Sequence, residues 1–181
     1  MPSIYLSPSV QEYNPYIIGG NEEYYMNLVA DAMIPYLNAS GISVTRNNPG
    51  DSLAQVIRQS NAGNYDLHLA LHSNSSPEHL AGTLQGPDVY YYTYSDAGRR
   101  AADIIAENLK TIYPNPNLVT VLPTSTLAEL RRTRAVSVLV EIAYHDNYDD
   151  ANWIKNNIGT IGYNLALSVT EILGVPFISP Y

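Results

Sequence analysis

Three residues stand where side chains of their type do chemistry. The first is His72, which ends the apolar run from Tyr65 to Ser76, Tyr-Asp-Leu-His-Leu-Ala-Leu-His-Ser-Asn-Ser-Ser. This run reads as a buried parallel strand opening into a site, with Leu67, Leu69 and Leu71 on one face and His68, Ala70 and His72 on the other. Ligands of open α/β sheets bind beyond the carboxyl ends of the strands, which is where His72 falls. The second is Glu141, which interrupts Val136-Ser137-Val138-Leu139-Val140-Glu141-Ile142, the most apolar strand of the chain. A carboxylate there is costly unless it is paired, protonated or bound to a metal. An ion pair to Arg131, Arg132 or Arg134 is one reading, and a catalytic carboxylate at a strand end is the other, favoured by position. The third is Glu23, in the first turn of a helix. It either stabilises the helix dipole or, carried there by a long glycine-containing loop, lies over the same rim as a metal ligand.

The elements that must position these residues follow from the pattern of apolar runs, caps and breakers. Ile4 to Leu6 is a short strand running into Ser7-Pro8-Ser9, and the loop continues to Gly19-Gly20. Asn21 is an N-cap for a helix with an apolar stripe at Tyr25, Leu28, Val29, Ala32 and Tyr36, perturbed or ended late by Pro35. Ile42 to Thr45 is a strand, and Asp51 or Ser52 caps a helix to about Ala62 before the strand that carries His72. Val89 to Thr93 is the next strand, Ser95-Asp96 opens a helix to about Tyr113, and Leu118 to Leu122 is a strand. Pro123 to Arg134 is a mostly polar connection with room for a single helical turn. After the Glu141 strand, Asp146 to Asp150 is a polar turn, and Trp153 to Leu173 carries one or two helices with Gly159 and Gly162 as a break. Strands alternating with helices predict an α/β fold: a single domain, residues 1–181, with a mainly parallel twisted sheet of about six strands and helices on both faces.

Composition narrows the function. The chain of 181 residues is long enough for one sizeable core. It has no cysteine, so a metal would have to be held by histidine and carboxylate. Nine basic against seventeen acidic residues, a net charge of −8, argue against nucleic acid or an anionic membrane surface as a partner. No run reaches transmembrane length and no signal peptide is visible. Sixteen tyrosines suit contact with sugar or peptide, or a core with hydrogen-bonded hydroxyls. No Gly-x-Ser-x-Gly elbow occurs, which disfavours a serine nucleophile.

Four segments together resemble the zinc-dependent N-acetylmuramoyl-L-alanine amidases of the amidase 3 family. They are Ile4-Tyr5-Leu6-Ser7-Pro8, Gly20 to Asn27, Asp66 to Ser75, and Val138-Leu139-Val140-Glu141-Ile142, in the family's order. The resemblance implies hydrolysis of the amide between N-acetylmuramic acid and L-alanine of the stem peptide, with bacterial cell-wall peptidoglycan as partner. It implies Zn2+ as cofactor, Glu23 (with Asn27) and His72 (with Asn74) as metal ligands, and Glu141 as catalytic base. The chain departs from the family after the first strand, where a ligand histidine is replaced by Ser7-Pro8-Ser9. A catalytic zinc wants three protein ligands and an open position. His145, four residues past Glu141, is the expected replacement, with Glu12 and then His79 behind it. His68 lies about 13 Å back along its strand and is expected to be a core histidine. Tyr13, Tyr16 and Tyr144 are expected at the rim as stacking surfaces, and an arginine of the Arg131–Arg134 stretch as a partner for a stem-peptide carboxylate. Rival readings are a metal-free peptidoglycan-binding relative, and another zinc peptidase or deacetylase on the same scaffold. An enzyme of this kind acts at the bacterial cell wall, either as a released lysin or as part of a longer secreted chain.

Overall fold

The computed structural model describes all residues from Met1 to Tyr181. Six strands, β1 (Ser3–Pro8), β2 (Ser43–Arg46), β3 (Leu67–Asn74), β4 (Asp88–Tyr92), β5 (Thr120–Thr124) and β6 (Val136–Tyr144), form one sheet in the order β2-β1-β3-β6-β4-β5. The helices are α1 (Glu22–Ala39), α2 (Leu53–Ala62), α3 (Asp96–Lys110), α4 (Ala128–Arg132), α5 (Tyr148–Asn156) and α6 (Ile158–Leu173). The caps read from sequence are in place. The Asn21 side chain accepts from Tyr24 N at 2.8 Å, Ser52 forms a capping box with Gln55, and Ser95 accepts from Gly98 N at 2.9 Å.

The sheet is parallel through β2, β1, β3 and β6, as its apolar runs predict. The exception is β4, which pairs antiparallel with β6, while β5 runs parallel to β4. The connection from β3 to β4 holds only the three-residue 3-10 turn Glu78–Leu80, too little crossover to return the chain to the amino rim. The amino end of β4 therefore sits at the rim where β3 and β6 end, and Asp88 registers with Glu141.

Pro35 lies inside α1, which ends late, at Ala39. The last two helices part at Asn157 rather than at a glycine. Gly162 lies inside α6 at its crossing with α1, where an added Cβ would stand 2.5 Å from the Cβ of Ala32.

The two faces of the sheet are covered unequally. Leu67, Leu69 and Leu71 pack into the main core with Met26, Met33, Ile105, Leu165 and Val169. On the other face a small cluster, Ala70, Leu130 and Leu139, lies under the five-residue α4, and α2 meets the same face through Ser60. Thin cover on this side leaves room for a cavity at the carboxyl rim. No helix is long and apolar enough to cross a membrane.

Candidate active site

At the rim, His72 and Glu141 are register partners on the adjacent parallel strands β3 and β6. Both line a cavity of about 460 Å³, together with Gln11, Tyr13, Asp51, Leu53, Leu127 and Glu129 among others. His72 Nε2 and Glu141 Oε2 are buried and have no hydrogen-bond partner. Two unpaired polar atoms side by side are costly in a folded chain, and a substrate or solvent group in the cavity would satisfy them. The alternative of an ion pair for Glu141 fails. Arg131, Arg132 and Arg134 are all exposed and none pairs with it.

His72 is held from its other nitrogen. Glu22 Oε1 lies 2.9 Å from His72 Nδ1, and Glu22 Oε2 accepts from Asn14 Nδ2 at 2.6 Å. Glu23 is the first-turn carboxylate expected at the site, but the side chain that reaches His72 is that of its neighbour, Glu22. Successive helical residues point about 100° apart, so only one of two adjacent acids can face the rim. Glu22 is 1 % exposed, whereas Glu23 is half-buried and only its backbone carbonyl is engaged, by Asn27 Nδ2 at 2.7 Å. Asn27 in turn accepts from Arg46 and belongs to the scaffold.

His145 does not join the centre either. It is buried, with Nδ1 2.9 Å from the Ser73 carbonyl oxygen, and its ring stacks on Tyr16 at 5.5 Å between centroids. Its backbone N–H donates to Asn74 O and its carbonyl accepts from Ile17 N. It stitches the end of β6 to β3 and to the loop after β1. Glu12 and His79 are exposed. His68 is the expected core histidine, between Ser60 Oγ at 2.8 Å and Glu129 Oε2 at 3.1 Å. Of the three tyrosines, only Tyr13 is exposed at the cavity; Tyr16 is buried against Tyr25, and Tyr144 donates to Asp88.

Sequence reasoning passed over three residues here: Gln11, Asn14 and Glu129. Gln11 and Asn14 look like ordinary loop amides. Glu129 alone carried a signal, a carboxylate enclosed by Leu127, Ala128 and Leu130.

Electrostatics separate the carboxylates. Burial pushes Glu141 up to about 7; Glu22 and Asp88 add to this, and His72 opposes it. Burial would also raise Glu22, but hydrogen bonds from His72 and Asn14 and the charge of His72 hold it below the usual range. Burial alone would lower His72, yet the bond to Glu22 and the charges of Glu129, Glu141 and Glu22 lift it to about 9.

A catalytic zinc would find only two ligand side chains here, Glu22 and His72. The remaining side of His72 Nδ1 faces the Gln11 amide nitrogen at 3.3 Å. No group of three His, Asp or Glu residues converges anywhere in the chain. The donor set does not fit a three-ligand zinc.

A mostly parallel α/β sheet of this order, with a histidine and a buried glutamate at adjacent strand ends over a cavity, is the architecture of an α/β enzyme. The family model of N-acetylmuramoyl-L-alanine amidase matches residues 12–171, and the chain belongs to that family. Its members are hydrolases that cut peptidoglycan between N-acetylmuramic acid and L-alanine, and they are typically zinc-dependent.

Solved structures agree in fold. The amidase AmiC2 of Nostoc punctiforme superposes with a TM-score of 0.83 at 17% identity, covering 96% of this chain and 97% of that one. CwlV from Bacillus (Paenibacillus) polymyxa gives 0.81 at 15%, with coverages of 97% and 100%. The catalytic domain of the CD27L endolysin, which targets Clostridia difficile, gives 0.77 at 22%, with 99% and 100%. No curated protein matches the chain by sequence.

Proposed function

We propose that this chain hydrolyses the amide between the lactyl group of N-acetylmuramic acid and L-alanine of the peptidoglycan stem peptide, using Glu141 as base and His72 as carbonyl-facing donor. The observation that carries this reading is the pair of buried, unpartnered atoms, His72 Nε2 and Glu141 Oε2, on neighbouring strands in one cavity. Glu22 takes Nδ1, which directs Nε2 away from it and fixes the ring. Nε2–H donates to the carbonyl oxygen, where negative charge develops. Glu141 accepts a proton from the attacking water and delivers it to the departing alanine nitrogen, so the products are a free lactyl carboxylate and a free amine. Tyr13 and Leu53 form an apolar wall of the cavity for sugar or peptide.

The zinc implied by the family resemblance finds no fitting set of three ligands here, and no step above passes through it. A second reading is favoured by the lack of a third ligand: a peptidoglycan-binding relative that does not cut. Both place the chain at the bacterial cell wall with peptidoglycan as partner. Mass spectrometry of products from purified peptidoglycan decides between them. New peptides with a free amino-terminal alanine support hydrolysis; binding to peptidoglycan without such peptides overturns it.

A further inference from the structure

We propose that Gln11, Asn14 and Glu22 form a hydrogen-bonded network against the Nδ1 side of His72 that stands in the place of a metal, so that the centre works without one. This deepens the hydrolase reading and rests on it for what the centre does. Asn14 organises the network. Its Nδ2 donates to Glu22 Oε2 at 2.6 Å and to Gln11 Oε1 at 2.9 Å. An amide turned the other way would set its oxygen against the Glu22 carboxylate, so the charge fixes Asn14, and Asn14 fixes Gln11. The Gln11 carbonyl is consumed by Asn14, and what Gln11 turns toward His72 is its nitrogen, 3.3 Å from Nδ1.

Every group that would face a cation between Glu22 and His72 is thereby spent. Glu22 Oε1 meets His72 Nδ1 at 2.9 Å, with Ser73 N–H at 3.4 Å, and Oε2 meets Asn14. Two N–H bearing amides line the remaining side, and an N–H offers a cation hydrogen rather than a lone pair. Asn14 is itself braced by the chain: its carbonyl accepts from Glu22 N at 3.0 Å, and its N–H donates to Gln11 O. The loop after β1 therefore holds these amides in place beside Glu22. His72 is presented to the cavity by a carboxylate partner, the task that a buried acid performs for a histidine acting on its own.

The experiment compares the native chain with Gln11→His and with the isosteric Gln11→Glu, which serves if the histidine variant does not fold. Each is incubated with zinc, dialysed and assayed for bound metal, then titrated with cobalt(II) for visible absorption bands. The native chain is expected to retain less than about a tenth of a zinc per molecule and to give no cobalt bands. A folded variant is expected to retain about one, because a lone-pair donor then joins Glu22 and His72. Near-stoichiometric zinc in the native chain overturns the proposal, as does a folded Gln11→Glu that gains no metal affinity.

Chelator separates this outcome from the fate of the hydrolase reading. Cleavage unchanged by chelator supports the network. Cleavage abolished by chelator overturns it while leaving the amidase intact. A zinc-free native chain that binds peptidoglycan without cutting it supports the network and removes the amidase reading alone.

Discussion

His68 and His72 share one face of β3, four residues apart, and each has a glutamate partner, yet the fold treats them oppositely. His68 is wholly buried. Both ring nitrogens are engaged, by Ser60 and Glu129, its ring stacks on Tyr5, and Glu129 takes a further bond from Ser7. His72 has one nitrogen engaged and the other orphaned, beside a carboxylate that is itself orphaned. The first pair is a finished internal structure, whereas the second leaves its bonding capacity for something that enters the cavity. The same residue types on one strand therefore differ in role because α2 and α4 close over His68 and stop short of His72.

The largest test of this contrast is Glu141→Gln. Removal of a general base lowers turnover by about 10²–10⁴-fold. Folding stability should hold or rise, since a buried unpaired carboxylate becomes neutral. Peptide release measured beside chemical denaturation reads both effects, and a fully active variant would break the assignment. In the closed pair the balance reverses. Glu129→Ala strands His68 and should cost about 3–5 kcal/mol of stability. The double variant His68→Leu, Glu129→Leu should recover most of that loss in the same denaturation experiment.

A smaller effect separates the two regions by pH. Burial would raise Glu129, but the bond from His68, the charges of His68 and His72 and the bond from Ser7 hold it below its ordinary 4.5. The folded chain thus binds that proton more weakly than the unfolded one. Its contribution is complete above about pH 4.5 and is lost as pH falls through the lower folded value. Glu141 acts in the other sense. Its carboxyl is raised from 4.5 to about 7, so the folded chain binds the proton more tightly and stability declines as pH rises from 4.5 through about 7. Thermal unfolding across this range should show Glu129→Gln flattening the acid limb and Glu141→Gln flattening the neutral one. An acid limb unchanged in Glu129→Gln would show that the closed pair is not what acid breaks.

Much of this was legible in the chain. The strands β3 and β6 announce themselves by apolar runs, and Asn21, Ser52 and Ser95 announce the helix starts by side-chain chemistry that acts within three residues. His72 and Glu141 stand out because a polar residue ending an apolar strand has few structural excuses. The direction of β4 was not legible, since strand pairing is settled between distant segments and leaves no local pattern. Nor was the network at Gln11 and Asn14. An amide is ordinary in a loop, and only the fold brings these two to within bonding distance of Glu22 and His72.

The choice between Glu22 and Glu23 marks the boundary between the two kinds of knowledge. Both are acids in the first turn of α1, and sequence shows that one of them is suited to the rim, but not the rotation of the helix about its axis. That rotation is set by what α1 buries, namely Tyr25, Met26, Val29, Met33 and Leu37. The same rotation that puts these side chains into the core carries Glu22 inward to His72 and leaves Glu23 beside it, half in solvent. Glu23→Gln should therefore change stability by no more than about 0.5 kcal/mol and leave peptide release unaltered. Glu22→Gln, one position away, should loosen His72 and lower release. If the two variants behaved alike, the phase of α1 would be wrong and the contrast between the open and the closed histidine would lose its anchor.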